Sequence, residues 1–189
     1  MPAAKRISKE AIIDAAAAVL RIGGFEAINA RSVAKALGCS TQPIYLSFRN
    51  MEELKSALTQ RAIEQHTQRV RESLRAHEGC DSRYSSYGMG FVQFAAQEKQ
   101  LFRWLYLEDN QPGRHQEDVL EPEIIRTVMD EFGYDEVTAR AFHRDMTYYS
   151  YGLAILANTG HLALTETELR EAFRREFRAL AAYYGPPKK

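Results

Sequence analysis

Within residues 29–54, NARSVAKALGCSTQPIYLSFRNMEEL, apolar residues recur at helical spacing in three short bursts. Val33, Ala34 and Leu37 form the first, Ile44, Tyr45 and Phe48 the second, and Leu54 opens the third. Asn29 can cap the first helix and Gly38 can end it. Ser40 can cap the second, with Pro43 in its first turn, where a missing N–H is tolerated. Asn50 followed by Glu53 can form a capping box for a third, running from about Met51 to Ala76. Helices this short are marginal alone, so the pattern dictates a small domain in which they share one core.

The remaining chain extends this helical reading. Ser8 can cap a first helix that carries Ile12, Ala16, Val19 and Leu20 to Gly23-Gly24, with Phe25 and Ile28 anchoring the loop behind it. After Asp81 the composition shifts to aromatics, and Gln97–Gln100 reads as a joint between helices. Residues 109–119, DNQPGRHQEDV, read as the main internal loop, followed by a helix from Pro122 to Phe132. Asp135 can cap a long helix to about Asn158, and Thr165 with Glu168 can box the start of a last one ending at Gly185. Strand-like alternation is nearly absent, so the fold class is all-α. Residues 1–50 are expected to form a three-helix domain and 51–189 a second helical domain.

Charge is distributed unevenly between these parts. Seven basic residues against three acidic ones give residues 1–50 a charge of +4, which in a chain of net zero leaves −4 for the rest. A cationic head on an acidic body suits phosphate at one end only. Cys39 and Cys80 form no CxxC pair and no disulfide framework, and no apolar run approaches a membrane span or a signal segment. A cytoplasmic protein without a membrane partner is expected.

Short helix, tight turn, short helix is the pattern of a helix-turn-helix, whose second helix reads base edges in the major groove of double-stranded DNA. With Ile44 and Phe48 turned inward, Thr41, Gln42, Tyr45, Leu46 and Ser47 lie on or beside the outer face. Gln42 is the natural base reader, because its amide can bond adenine bidentately. Ser40 and Thr41 can bond bases or phosphates, Tyr45 and Ser47 suit phosphate oxygens, and the Pro43 ring offers apolar contact alone. Arg31, Arg49 and Lys55 can clamp the backbone from flanking helix ends. The same residues would also serve as the solvated faces of short helices.

The run Gly23-Gly24-Phe25, the segment Val33-Ala34-Lys35-Ala36-Leu37-Gly38, and Ile44-Tyr45-Leu46-Ser47-Phe48-Arg49-Asn50 before Glu52-Glu53-Leu54 resemble the N-terminal domain of TetR-family transcriptional regulators. The resemblance covers about the first fifty residues. It implies a homodimer whose C-terminal domains bind a small ligand and release operator DNA. Two positions depart from the family pattern: Met51 replaces the usual lysine after the capping Asn, and Gln42-Pro43 stands where glycine and a small polar residue are common.

In the body, Tyr148, Tyr149 and Tyr151 cannot share one helix face, because neighbouring residues are about 100° apart. Phe91, Phe94, Trp104, Met146 and Tyr149, with His143 as a polar anchor, are candidates to line a ligand pocket, although aromatics at helical spacing also make plain core. Leu153, Leu156 and Ala157, followed by Leu169, Phe173, Phe177, Leu180 and Tyr184 at spacings of 4, 4, 3 and 4, are candidates for a two-subunit interface of four helices. The same stripe could equally pack within one chain. His115, Glu117 and Asp118, or His143 with Asp145, lack metal-site spacing. No nucleophile elbow or phosphate loop is present, so neither a metal, a cofactor nor a catalytic residue is expected.

The sequence therefore points to a dimeric DNA-binding regulator, of the repressor kind, released by a small, partly apolar or aromatic effector. The alternative is a DNA-binding dimer without a small-molecule effector, controlled by a protein partner.

Overall fold

Four of the expected caps fix where helices begin. Ser8 Oγ accepts from the Ala11 N–H at 3.1 Å. Asn29 Oδ1 accepts from the N–H groups of Arg31 and Ser32 at 3.1 and 3.0 Å, while Ser32 Oγ accepts in return from the Asn29 N–H. Asp135 Oδ1 accepts from the Thr138 N–H at 2.8 Å, and Thr165 and Glu168 cap each other reciprocally. Each cap satisfies helix-end donors that would otherwise lack partners.

The computed structural model describes residues 7–75, 82–108 and 112–185, and among these no strand occurs. The order is α1 (Lys9–Gly23), a 3-10 turn (Phe25–Ala27), α2 (Ala30–Leu37), α3 (Gln42–Ser47), α4 (Met51–Arg75), α5 (Arg83–Gln97), α6 (Lys99–Phe102), a π-helical turn (Arg103–Leu107), α7 (Pro112–Phe132), α8 (Glu136–Thr159) and α9 (Glu166–Tyr184). No helix among the described residues is long and apolar enough to cross a membrane.

Three local expectations are corrected. The cap of α3 is Thr41, not Ser40, because the Thr41 carbonyl accepts the first helical bond, from Ile44 N–H at 3.1 Å. At the start of α4 the Glu53 N–H donates to Asn50 Oδ1 at 2.9 Å, but the Glu53 carboxylate reaches back to the N–H of Arg49 rather than Asn50. The expected loop over 109–119 shortens, because α7 begins at Pro112 and carries Pro122 inside it; residues 109–111 lie outside the described residues. Pro112 sits at a first-turn position that needs no N–H, and the Gln, Glu and Leu that follow are good helix formers.

The chain packs as two compact units, and packing does not follow a single cut along it. One comprises residues 1–65 and 100–112, the other 66–99 and 113–189, so α4 contributes to both. The core of the first unit gathers Ile12, Ala16 and Leu20 from α1, Val33 from α2, Ile44 from α3, Phe48, and Leu54 and Leu58 from α4, all buried. Residues 100–107 close this core, with Phe102 and Leu105 fully buried and the Trp104 ring stacked on Phe25 at 4.5 Å.

The second unit is built around α5, α8 and α9, with the C-terminal part of α7 against them. Phe142 is its fully buried centre, within 6.3 Å of the rings of Tyr84, Phe132, Tyr134, Phe177 and Tyr184. Gly88 lets α5 approach α9 closely, because a Cβ there would lie 2.7 Å from the Phe173 ring. Buried Asn158 donates from Nδ2 to the carbonyls of Ala95 and Lys99 at 2.9 and 3.0 Å, satisfying oxygens freed by the joint between α5 and α6.

Candidate DNA-reading face and a buried cavity

The head is closely packed where a reading element must be held. Gly38 closes α2 in the left-handed region at φ +66°, which an L side chain adopts only with strain. The turn then delivers α3 with Ile44 and Phe48 buried at 1% and 2% exposure. That burial fixes the rotation of the helix about its own axis. Gln42, Tyr45 and Leu46 consequently stand outward, Tyr45 at 56% and Leu46 at 79% exposure. Ser40 is exposed, and Thr41, Pro43 and Ser47 are half-buried beside this face. Cys39 is half-buried, and its Sγ lies 3.2 Å from the Ser40 carbonyl.

The three flanking cations differ in their settings. Arg31 is exposed in the first turn of α2. The side chain of Arg49 is 90% exposed, yet it is tethered: its backbone N–H and its Nε both donate to Glu53 Oε2, at 2.8 and 3.2 Å. Those bonds from Arg49, the backbone one foremost, hold the Glu53 carboxyl below its ordinary range, so Glu53 stays ionised and the tether persists. The guanidinium has five donors, and those not on Glu53 can meet phosphate.

Lys55, a candidate phosphate clamp by its place in the sequence, is turned elsewhere. Its ammonium lies 4.6 Å from the centre of the Phe25 ring and 3.9 Å from Glu52, on a side chain only 19% exposed. With Trp104 on its stack, Phe25 thus ties 100–107 to the head, and Lys55 completes that packing.

The second unit holds a cavity of about 20 Å³ between α5, α8 and α9, room for about one water. From α8 come His143, Met146, Thr147, Ser150 and Tyr151, at the i, i+3, i+4, i+7 and i+8 positions of a single helix stripe. From α5 come Tyr84, Ser85, Tyr87, Gly88 and Phe91, and from α9 Phe173 and Phe177. Tyr87 and Phe91 also line a larger open cleft of about 460 Å³ between α4 and α5, shared with His66, Arg69 and Phe94. These two side chains are therefore walls common to both spaces.

Hydrogen bonding inside the cavity is well defined. Tyr84 is buried and its hydroxyl sits 2.8 Å from His143 Nδ1. A buried phenol must place its proton on an acceptor, and Nδ1 is the one within reach, so Tyr84 donates and the His143 proton resides on Nε2. Burial pushes the Tyr84 hydroxyl well above its usual range and pulls His143 down to about 4, so both are neutral at physiological pH. Thr147 Oγ1 donates to the His143 carbonyl and Ser150 Oγ to that of Met146, each at 2.8 Å, which leaves both hydroxyl oxygens as acceptors.

Of the residues expected to line a pocket, the structure brings Phe91, His143 and Met146 to the cavity and Phe94 to the neighbouring cleft, stacked on His66 at 4.4 Å. It does not bring Trp104, which belongs to the head, nor Tyr149, which donates to the Ala172 carbonyl and meets Phe173 edge-on. The i, i+3, i+4 stripe of α8 is visible in the sequence and leads to Thr147, Ser150 and Tyr151. Tyr84 and Gly88 carry no such signal.

Two of the interface candidates pack against other helices of the same chain. Phe173 is 3% exposed against Gly88, and half-buried Phe177 packs on Phe132 and Phe142 at 4.8 and 5.5 Å, so both make contacts within one chain. Leu153, Ala157 and Leu180 are half-buried. The outward large apolar residues are Val137, Tyr148, Ile155 and Leu156 on α8 and Tyr183 on α9. His143 and Asp145 do not converge: the first turns to Tyr84, the second accepts from Tyr184 at 2.5 Å and from Arg144. Among the described residues no group of three acidic, His or Cys side chains could hold a metal ion; the side chains of His115, Glu117 and Asp118 lie outside them.

The profile of the bacterial regulatory proteins of the tetR family matches residues 12–58, which span α1 to the first turns of α4. No curated protein matches the chain. Among solved structures, the fold is similar to that of a protein from Pseudomonas aeruginosa PAO1 described as a transcriptional regulator, with TM-score 0.64 and 16% identity over 92% of this chain and 90% of that one. It is also similar to the fatty acid degradation regulator FadR from Bacillus halodurans, with TM-score 0.59 and 17% identity over 97% of each chain.

Proposed function

We propose that this chain, which belongs to the tetR family of bacterial regulatory proteins, is a homodimeric transcriptional repressor released from its operator by a small effector. Its family membership makes it a transcriptional regulator with a TetR-type DNA-binding domain; dimerisation, repression and the effector are the proposal. The observation that carries the DNA reading is the outward face of α3, with Gln42, Tyr45 and Leu46 turned away from a core that pins Ile44 and Phe48. Gln42 reads a base edge, Ser40, Thr41, Tyr45 and Ser47 meet phosphate and sugar, and Arg31 and Arg49 hold the backbone. Arg49 takes over at the start of α4, where Met51 offers no charge.

A single such head covers one half-site, so two are needed for useful specificity. Tyr148, Ile155, Leu156 and Tyr183, exposed on α8 and α9 beside uncovered Gly152, suit a second copy of the chain. The effector reading rests on the cavity between α5, α8 and α9. Because α4 contributes to both units, a ligand that reshapes the second has a covalent path to the first. A coupling of about 1–3 kcal/mol suffices for a switch.

The test is fluorescence anisotropy on a selected operator together with sedimentation. Gln42→Ala should relax base preference, and Arg31→Ala should weaken cognate and random DNA alike while lowering the salt slope by about one. Leu156→Glu should yield monomers with weakened binding. Unchanged binding in both DNA-face variants refutes the reading face. A second reading is favoured by the size of the cavity, which at about 20 Å³ is far below the ~300 Å³ of a small-ligand site. In that version the protein is a DNA-binding dimer controlled by a protein partner. A small molecule that binds the second unit and lowers operator affinity would exclude it.

A further inference from the structure

The cavity between α5, α8 and α9 is chemically selective in a way its size conceals. None of its twelve lining residues is Lys, Arg, Asp or Glu. A carboxylate or ammonium buried there would leave water without a compensating charge, a large penalty. The cavity is nevertheless polar at defined points. His143 is held by Tyr84 in the tautomer that carries its proton on Nε2, so it offers one neutral N–H. Ser150 and Thr147 have given their protons to backbone carbonyls and offer oxygens that accept. Flat aromatic walls, including Phe91 and Tyr151 with ring centres 5.0 Å apart, frame these groups.

We propose that this site takes an uncharged, planar ligand in which an acceptor oxygen lies beside a donor, as in an amide or lactam. Its oxygen accepts from His143 Nε2–H and its N–H donates to Ser150 or Thr147. The ligand reaches the cavity from the larger cleft by displacing Tyr87, which walls both spaces. Bulkier parts remain in the cleft, whose 460 Å³ matches a small molecule where the inner space does not. This inference rests on the reading of the cavity as an effector site. It adds the charge state and hydrogen-bond pattern of what enters.

The experiment is titration of the full chain, by calorimetry and amide-shift NMR, with benzamide, benzoate, benzamidinium, acetophenone and toluene. These probes share a ring and differ in charge and hydrogen bonding. Benzamide should bind at least about tenfold more tightly than benzoate or benzamidinium. The double variant Tyr84→Phe/His143→Phe, which removes the N–H without orphaning the phenol, should weaken benzamide by about tenfold and leave toluene unchanged. Ser150→Ala, a milder change, should weaken benzamide by about threefold and leave acetophenone, which has no donor, unaffected.

Benzoate or benzamidinium binding as well as benzamide, with shifts at α5 and α8, would overturn the uncharged class and leave the effector site standing. Benzamide affinity indifferent to both variants would overturn the assigned hydrogen bonds. No saturable binding of any probe at millimolar concentration, in protein that still binds its selected DNA, would overturn the effector reading beneath them.

Discussion

Acidification should destabilise the second unit through two buried histidines, and the size of the effect can be worked out. His66 is 6% exposed and stacked on Phe94; burial, with a smaller contribution from the Arg69 charge, pulls it down to about 4. His143, bonded to Tyr84, is lowered to about 4 by burial. Both sit below the unfolded value near 6.5, so the unfolded chain binds more protons as pH falls. Their contribution to stability is complete above pH 6.5 and drains away between about 6.5 and 4.

At about pH 5.5 each histidine should have cost on the order of 1 kcal/mol relative to about pH 7.5, and the two together about 3 kcal/mol. The carboxyls of Glu10, Glu53 and Glu168 are held below their ordinary range, so their contribution is lost at lower pH and changes little in that window. The assay is urea unfolding at the two pH values, followed by the near-ultraviolet signal of the aromatic cluster around Phe142. Wild type should lose about 3 kcal/mol, and His66→Phe, which keeps a flat ring on Phe94, should lose about half of that. Stability unchanged between the two pH values, or an identical loss in wild type and His66→Phe, would refute the assignment of these rings as buried and neutral.

Three further outcomes follow from named contacts. Asn29→Ala removes the acceptor shared by Arg31 and Ser32 and should cost about 1 kcal/mol in thermal unfolding of the head. Lys55→Ala should lower head stability by about 0.5–1 kcal/mol through the Phe25 ring and leave the salt slope of DNA binding unchanged, since its ammonium is turned to that ring. Gly88→Ala places a methyl 2.7 Å from Phe173 and should destabilise by about 1–3 kcal/mol, with methyl and ring NMR shifts concentrated at α5 and α9.

Much of the head is legible in the sequence because its determinants are local. Ser8, Asn29, Gly38 and the Ile44/Phe48 pair act within one helical turn, and their spacing alone orients α3. The one-residue slip from Ser40 to Thr41 arises because both residues can cap, and the choice depends on which carbonyl receives Ile44 N–H. Pro122 reads as a helix start because proline usually marks one; here α7 begins ten residues earlier and absorbs it.

What escapes the sequence depends on contacts between distant positions. Tyr84 meets His143 across 59 residues, and Gly88 meets Phe173 across the crossing of two helices. Trp104 looks like a pocket aromatic because composition does not say which unit a segment joins, and the structure assigns 100–112 to the head. The α9 stripe at Phe173 and Phe177 resembles an interface because an apolar face looks the same whether its partner is its own chain or another.

The central claim, that α2 and α3 present a sequence-reading face, is tested most directly by selecting bound duplexes from a random-sequence pool at physiological salt. The account expects enrichment of one inverted repeat, with half-site centres about 10 base pairs apart or a multiple of that, and loss of preference at one position per half-site in Gln42→Ala. Failure to enrich any sequence above the starting pool, or an enriched site whose preferences survive Gln42→Ala intact, would contradict it.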